Sequence, residues 1–264
     1  MRKFEFRNPL RAKLKSGETT FGLWVTLESA SISEIAAEIG IDWICVDMEH
    51  GSLSYRDLVQ HARAARGSGM AVLARVPATS VDTVKRCLDL GLDGVLLPLV
   101  RNADDLREGF KHARYPSLGA RGIGGERAVG WGLHMNEYLA RANEETLVIP
   151  LIETAEATAN INDILGVEGL EAIFFGPADL SASLGHLGVW EGPGVAEDIL
   201  RITKLAVERG ITAGVVGTST EDSLRRKEQG FRMIALGSDA GMIIRQIKSQ
   251  FGSLKGQTFG PGWF

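Results

Sequence analysis

Four short stretches carry residue types that acid–base and metal chemistry need. Asp47-Met-Glu49-His50 closes one apolar run, Arg75 closes a second, and Glu153 and Asp179 follow two more. An unperturbed imidazole changes charge near neutrality, which makes His50 a candidate acid/base, with Asp47 or Glu49 to hold its tautomer. Arg75 directly follows the apolar segment AVLA, where a permanent cation is costly unless it faces an anion. It could stabilise a developing enolate oxygen, pair with Asp47 or Asp89, or do both. Glu153 and Asp179 offer hard oxygen ligands with open positions, which suits Mg²⁺ or Mn²⁺. Glu153 alone reads equally well as a cap for the helix beginning at Thr154. Beside Asp179 the metal reading gains, because two adjacent carboxylates at one rim otherwise repel.

The lysines stand at positions 3, 13, 15, 85, 111, 204, 227, 248 and 255, none on an expected strand or at its C-terminal end. A Schiff-base aldolase needs a desolvated lysine inside its barrel, so carbonyl activation here falls to an ion. Gly122-Ile-Gly124-Gly125 follows a loop and is no dinucleotide fingerprint, so no nucleotide cofactor is expected. Gly217-Thr-Ser and Gly237-Ser-Asp could cradle a phosphate, although glycine is commonplace at strand-to-helix turns. His61 and His112 fall in helical stretches, and His134 and His186 in loops.

The elements that position these groups repeat eight times. Apolar runs occupy 21–27, 43–46, 71–76, 94–99, 147–152, 172–175, 211–216 and 233–236, nearly continuous as in strands buried on both faces of a parallel sheet. Amphipathic stretches such as SISEIAAEIG (31–40), SVDTVKRCLDLG (80–91) and TEDSLRRKEQG (220–230) lie between them. Each opens on a Ser or Thr suited to capping and ends at a Gly suited to a left-handed stop. Eight units in about 250 residues point to an α/β fold, the (β/α)8 or TIM barrel, over a doubly wound sheet. The active site then belongs at the C-terminal ends of the strands. Residues 115–145, rich in Gly and Arg, make a long excursion of the functional or interfacial kind. The stretch 251–264 shows no helical period yet carries aromatics, and is expected as a non-helical tail packed on the barrel or a neighbouring subunit.

At 264 residues the chain fits one large domain spanning 1–264, and 44% hydrophobic with 23% charged residues excludes a disordered chain. A net charge of −4 without a basic stripe argues against nucleic acid as a partner. No apolar run approaches a membrane span, and MRKFEFRNPLRAKLKSG lacks the apolar core of a secretion signal. Cys45 and Cys87 lie in apolar segments without ligand-like spacing and read as reduced thiols of a cytoplasmic protein.

Taken in order, FGLW (21–24), VDMEHG (46–51), ARVP (74–77), CLDLGLDGVLLPLV (87–100), YPSLGARGIGG (115–125), PLIET (150–154), FFGPADLSASLG (175–185) and DAGMI (239–243) resemble the HpcH/HpaI class II pyruvate aldolases. The resemblance implies that Glu153 and Asp179 hold a divalent ion (Mg²⁺, Mn²⁺ or Co²⁺) that chelates a 2-oxo acid. Backbone N–H groups around Gly176, Ala178 and Asp179 would receive the acid's carboxylate. His50 would serve as acid/base, through a metal-bound water, and Arg75 would steady the pyruvate enolate. Asp89 would raise the basicity of His50, across a subunit contact if not within one chain. Trp24 and Val216 would line the pocket for the aldehyde half. The family barrel exchanges its last helix between subunits, usually in a homohexamer. The implied activity is reversible cleavage of a 4-hydroxy-2-oxo acid to pyruvate and an aldehyde; a CoA-thioester lyase of the citryl or malyl type and a phosphosugar-binding isomerase barrel are the alternatives. Leu151 stands where many members carry Gln, so the donor pocket loses a polar partner. Ala178 stands where the glucarate enzyme carries Ser, which points away from that substrate.

Overall fold

A computed structural model describes residues 6–260. Eight parallel strands, β1 (Thr20–Val25), β2 (Trp43–Asp47), β3 (Ala71–Arg75), β4 (Gly94–Leu97), β5 (Leu147–Ile152), β6 (Ala172–Phe175), β7 (Thr212–Val216) and β8 (Met233–Ser238), pair in chain order. β8 returns to β1 and closes the barrel. Helix α1 (Pro9–Lys15) precedes the barrel, and α2 (Ser31–Ile39), α3 (Tyr55–Ala64), α4 (Val81–Asp89) and α5 (Ala103–Ala113) follow β1 to β4. After the excursion come α6 (Met135–Glu145), then α7 (Ala155–Ala159) and α8 (Ile161–Ile164) between β5 and β6. Helices α9 (Pro177–Ser183) and α10 (Val195–Glu208) link β6 to β7, α11 (Thr220–Glu228) links β7 to β8, and α12 (Asp239–Lys255) ends the fold.

Alternation along each strand decides what faces the axis. Trp43, Cys45, Leu73, Leu96, Ile149, Phe174 and Met233 fill the interior, while Ile44, Val46, Val72, Val95, Ile173 and Val215 pack outward under the helices. Leu10 and Leu14 of α1 join the interior cluster, so α1 plugs the bottom of the barrel. The same parity carries Trp24, Asp47, Arg75, Leu151, Glu153, Gly176 and Val216 inward at the top. Two glycines make room for the large interior rings. A Cβ on Gly22 would lie 2.2 Å from the Trp43 indole, and one on Gly214 would lie 2.4 Å from the Phe174 ring. Gly22→Ala is therefore expected to destabilise the barrel by about 1–3 kcal/mol through overpacking. A thermal or urea midpoint equal to that of the wild type would show that Trp43 can move aside.

The glycine stops form as expected: Gly40, Gly69, Gly91, Gly210 and Gly230 all adopt positive φ. Two helix starts differ. α2 is entered through Ala30 without a side-chain cap, and α11 is capped by Ser219 in place of Thr220. The expected non-helical tail also needs correction. α12 continues to Lys255, so residues 251–255 are its last turn, and only Gly256 onward leaves the helix. Phe259 then folds back to lie 6.2 Å from the Phe251 ring; residues 261–264, with two of the tail's aromatics, lie outside the described residues. The excursion after α5 is tied to the barrel flank by its arginines. Arg121, fully buried, pairs with Asp89 at 2.7 Å, and Arg127 donates to Ala62 O at 3.0 Å and to Leu90 O at 2.5 Å, closing the ends of α3 and α4.

Candidate active site

Asp47 organises the turn after β2. Its Oδ1 accepts the backbone N–H groups of Glu49 (3.1 Å) and His50 (3.2 Å), and Oδ2 accepts the Trp24 indole N–H at 3.2 Å. Arg75 completes the cluster, donating Nε to Oδ1 at 3.0 Å and Nη2 to Oδ2 at 2.5 Å. Its Nη1 lies 3.1 Å from Glu49 Oε2. Burial alone would raise the Asp47 pKa, but the Arg75 guanidinium and the two backbone donors outweigh it and hold the carboxyl below its ordinary value. Of the partners considered for Arg75, Asp47 is the one realised. The His50 ring is exposed, with Nε2 3.9 Å from Glu49 Oε2. Glu49 is thus the carboxylate beside the ring, while Asp47 holds the His50 backbone.

Glu153 is buried at the end of β5, 3% exposed. The alternative reading of it as a helix cap does not hold, because Thr154 caps α7 with its own hydroxyl on Ala157 N. Glu153 Oε1 accepts the Leu99 N–H at 2.7 Å. Burial pushes its carboxyl up to about 7, with Asp179 and Glu49 pushing the same way. Glu49 is raised as well, chiefly by burial. Gly176 gives the Glu153 carboxylate its space: a Cβ there would sit 2.6 Å from Oε2. Asp179 lies in the first turn of α9, whose first residue, Pro177, has no N–H to leave unsatisfied. The N–H groups of Ala178 and Asp179 have no intrahelical acceptor. Glu153 and Asp179 fit a divalent cation: both are hard donors, their negative charge is only partly offset by Arg75, and two protein ligands leave positions to substrate and water. Among the described residues no group of three or more His, Cys, Asp or Glu is placed to hold a metal, so these two carboxylates are the candidate set.

A cavity of about 80 Å³ gathers Trp24, Arg75, Leu151, Glu153, Gly176, Ala178, Asp179 and Val216. Every donor-end residue expected from the sequence is there, joined by Phe174 and Trp190. Val216 lies with the carboxylates at this end. Asp89 does not join them. It closes α4 at the bottom of the barrel, paired with Arg121, while His50 is at the top; within one chain the two are at opposite ends, so an action of Asp89 on His50 would need a contact across subunits. The phosphate reading also fails on geometry. After β7 Asp222 takes the Thr218 N–H at 3.0 Å, and after β8 Asp239 takes the Ala240 N–H and the Ser238 hydroxyl takes that of Gly241, so side chains of the chain itself already occupy these donors. Sequence reasoning missed Leu99. Its contribution is a backbone N–H at φ 53°, just past a strand that ends at Leu97.

A closed parallel barrel with ionisable groups from several strands meeting at the carboxyl rim is the architecture of a (β/α)8 enzyme. The chain belongs to the HpcH/HpaI aldolase/citrate lyase family, whose profile matches residues 20–246. It is 35% identical over 250 residues to a hydroxypyruvate/pyruvate aldolase of Paraburkholderia phytofirmans, covering 92% of this chain and 96% of the relative. It is 33% identical over 244 residues to a 4-hydroxy-2-oxo-heptane-1,7-dioate aldolase of Escherichia coli, covering 92% and 93%. An HpcH/HpaI aldolase/citrate lyase family protein from Burkholderia cenocepacia superposes with a TM-score of 0.89 at 32% identity, covering 94% of this chain and 99% of that one. The citrate synthase SbnG superposes at 0.84 with 28% identity, covering 94% and 97%. The protein is thus an enzyme of the HpcH/HpaI type.

Proposed function

We propose that this enzyme is a divalent-metal-dependent aldolase that reversibly cleaves 4-hydroxy-2-oxo acids to pyruvate, or a related 2-oxo acid, and an aldehyde. The observation that carries the reading is the single small cavity in which Glu153 and Asp179 share walls with Arg75. A divalent ion held by Glu153 and Asp179 supplies an electron sink at the keto oxygen when bound. The free N–H groups of Ala178 and Asp179 suit the substrate carboxylate. Leu151, Val216 and Phe174 give the cavity apolar walls, which exclude water and suit an unsubstituted three-carbon donor.

His50, directly or through one water, takes the proton of the 4-hydroxyl. The C3–C4 bond then breaks, the aldehyde leaves, and the electron pair moves onto the C2 oxygen, where the Arg75 guanidinium stabilises it. Proton return to C3 yields the 2-oxo acid. Asp47 and Glu49 keep Arg75 charged and aimed. The names of the two relatives support the reaction class. The reading extends to assembly as a homo-oligomer, hexameric with the last helix exchanged as in the family. Ile243, Ile247, Phe251 and Leu254 lie exposed along α12 in one chain, an apolar stripe that a neighbouring copy would cover.

The test is pyruvate release from a panel of 4-hydroxy-2-oxo acids before and after EDTA, then with Mg²⁺, Mn²⁺ or Co²⁺ restored. Release should vanish on chelation and return with the ion. Cleavage that persists after complete metal removal would overturn the reading.

A further inference from the structure

A second cavity, about 400 Å³, opens beside the first and shares Trp24 and Arg75 with it. Its other walls include His50, Gly241, Ile244 and Lys248. We infer that Lys248 of α12 is the specificity-determining residue for the aldehyde half, favouring acceptors that end in an anion, a carboxylate or a phosphate. This rests on the aldolase reading above and names what it would accept.

The two cavities divide a 4-hydroxy-2-oxo acid naturally. With the 2-oxo end at Glu153 and Asp179, the chain passes Trp24 and Arg75. The C4 oxygen then arrives beside His50, which lines the second cavity and not the first. Whatever lies beyond C4 occupies the space under α12. Gly241, Ile244 and Lys248 follow a spacing of three and four, which puts them on one helix face. Lys248 lines the cavity together with Ile244 and Gly241.

Charge distinguishes this space from the donor end. Both oxygens of Asp47 are committed to Arg75, Trp24 and backbone donors. Asp239 is likewise committed, to Thr26, Leu27 and Ala240. Lys248 has no carboxylate partner among the described residues, and its ammonium is 6.0 Å from the centre of the Phe259 ring. A half-buried cation with no carboxylate partner, at the far end of a cavity whose near end holds the acid/base, is placed to read the terminus of the acceptor. The exposed stripe of Ile243, Ile247, Phe251 and Leu254 lies on another face of α12.

The experiment is aldol addition of pyruvate by the full-length, metal-loaded enzyme to paired acceptors: succinic semialdehyde against butanal, and glyceraldehyde 3-phosphate against glyceraldehyde. The readout is the ratio of kcat/KM for the anionic acceptor to that for its neutral partner. Lys248→Met should lower that ratio about tenfold or more in at least one pair, mostly through KM, and Lys248→Arg should retain it. The pair affected tells carboxylate from phosphate. An unchanged ratio in both pairs overturns the inference while leaving the aldolase reading intact. Equal loss with anionic and neutral acceptors in a folded Lys248→Met protein also overturns it, since the lysine would then serve the chemistry itself. If Lys248→Met fails to fold, a Lys248→Arg ratio that collapses is the overturning result. A wild-type enzyme that adds pyruvate to none of the four aldehydes sinks the aldolase reading and this inference together.

Discussion

His50→Ala is expected to lower kcat for pyruvate release by about a hundredfold or more, the usual contribution of a positioned acid/base. Affinity for Mn²⁺ should stay close to that of the wild type, because the exposed His50 ring lines the second cavity and not the one holding Glu153 and Asp179. Glu153→Ala and Asp179→Ala should lower both quantities. Calorimetric titration with Mn²⁺, run beside a steady-state assay, separates the two patterns. If His50→Ala keeps most of its cleavage activity, another group carries the proton. If its Mn²⁺ affinity falls with its rate, His50 acts at the ion and the division of labour drawn here is wrong.

Arg75→Leu should produce the largest loss of stability. Asp47 is 2% exposed, and removing its guanidinium partner leaves a buried carboxylate held only by N–H donors. Breaking a buried pair from one side costs about 3–5 kcal/mol. The sign of the pH dependence follows from the wild-type shift. The Asp47 pKa is lowered in the folded state, so the pair's contribution is present at neutral pH and is lost as pH falls through the acid range. In the variant burial acts with less opposition, so the stability gap between variant and wild type should narrow in acid. Denaturant melts at pH 7 and pH 4 read this directly. The double variant Asp47→Asn/Arg75→Leu should recover much of the stability and none of the activity. Recovery of cleavage would show that Arg75 serves the fold alone.

The barrel was legible because a strand buried on both faces is written as an unbroken apolar run. β5 and β6 start and stop where those runs do, at 147–152 and 172–175. The rim was legible for a related reason: a charged residue directly after such a run keeps the parity of the strand, and that carries Arg75 and Glu153 inward. Groups whose partners are remote in the chain escaped. Asp89 shows a carboxylate in a helix, but nothing local announces Arg121, 32 residues on, as its partner. Lys248 carries no such signal, because it stands more than two turns into α12 and not at a strand end. The last turn of α12 was hidden by Gly252 and Ser253, weak helix formers. It is held because Gly252 lets the chain close back on it: a Cβ there would sit 2.6 Å from Gln257 O, and the Gln257 N–H donates to Gly252 O at 3.0 Å.

Leu99 holds Glu153 with the one group that nearly all amino acids have in common. Its side chain is 58% exposed and makes no part of the cavity, so the work is done entirely by an amide hydrogen. Nineteen of the twenty coded residues could supply that hydrogen, glycine with the least backbone cost, and only proline is barred. Substitution at this position would therefore keep the bond to Glu153 wherever the new residue tolerates a backbone at φ 53°. A survey that ranks functional positions by side-chain identity would pass over the residue that steadies its central carboxylate.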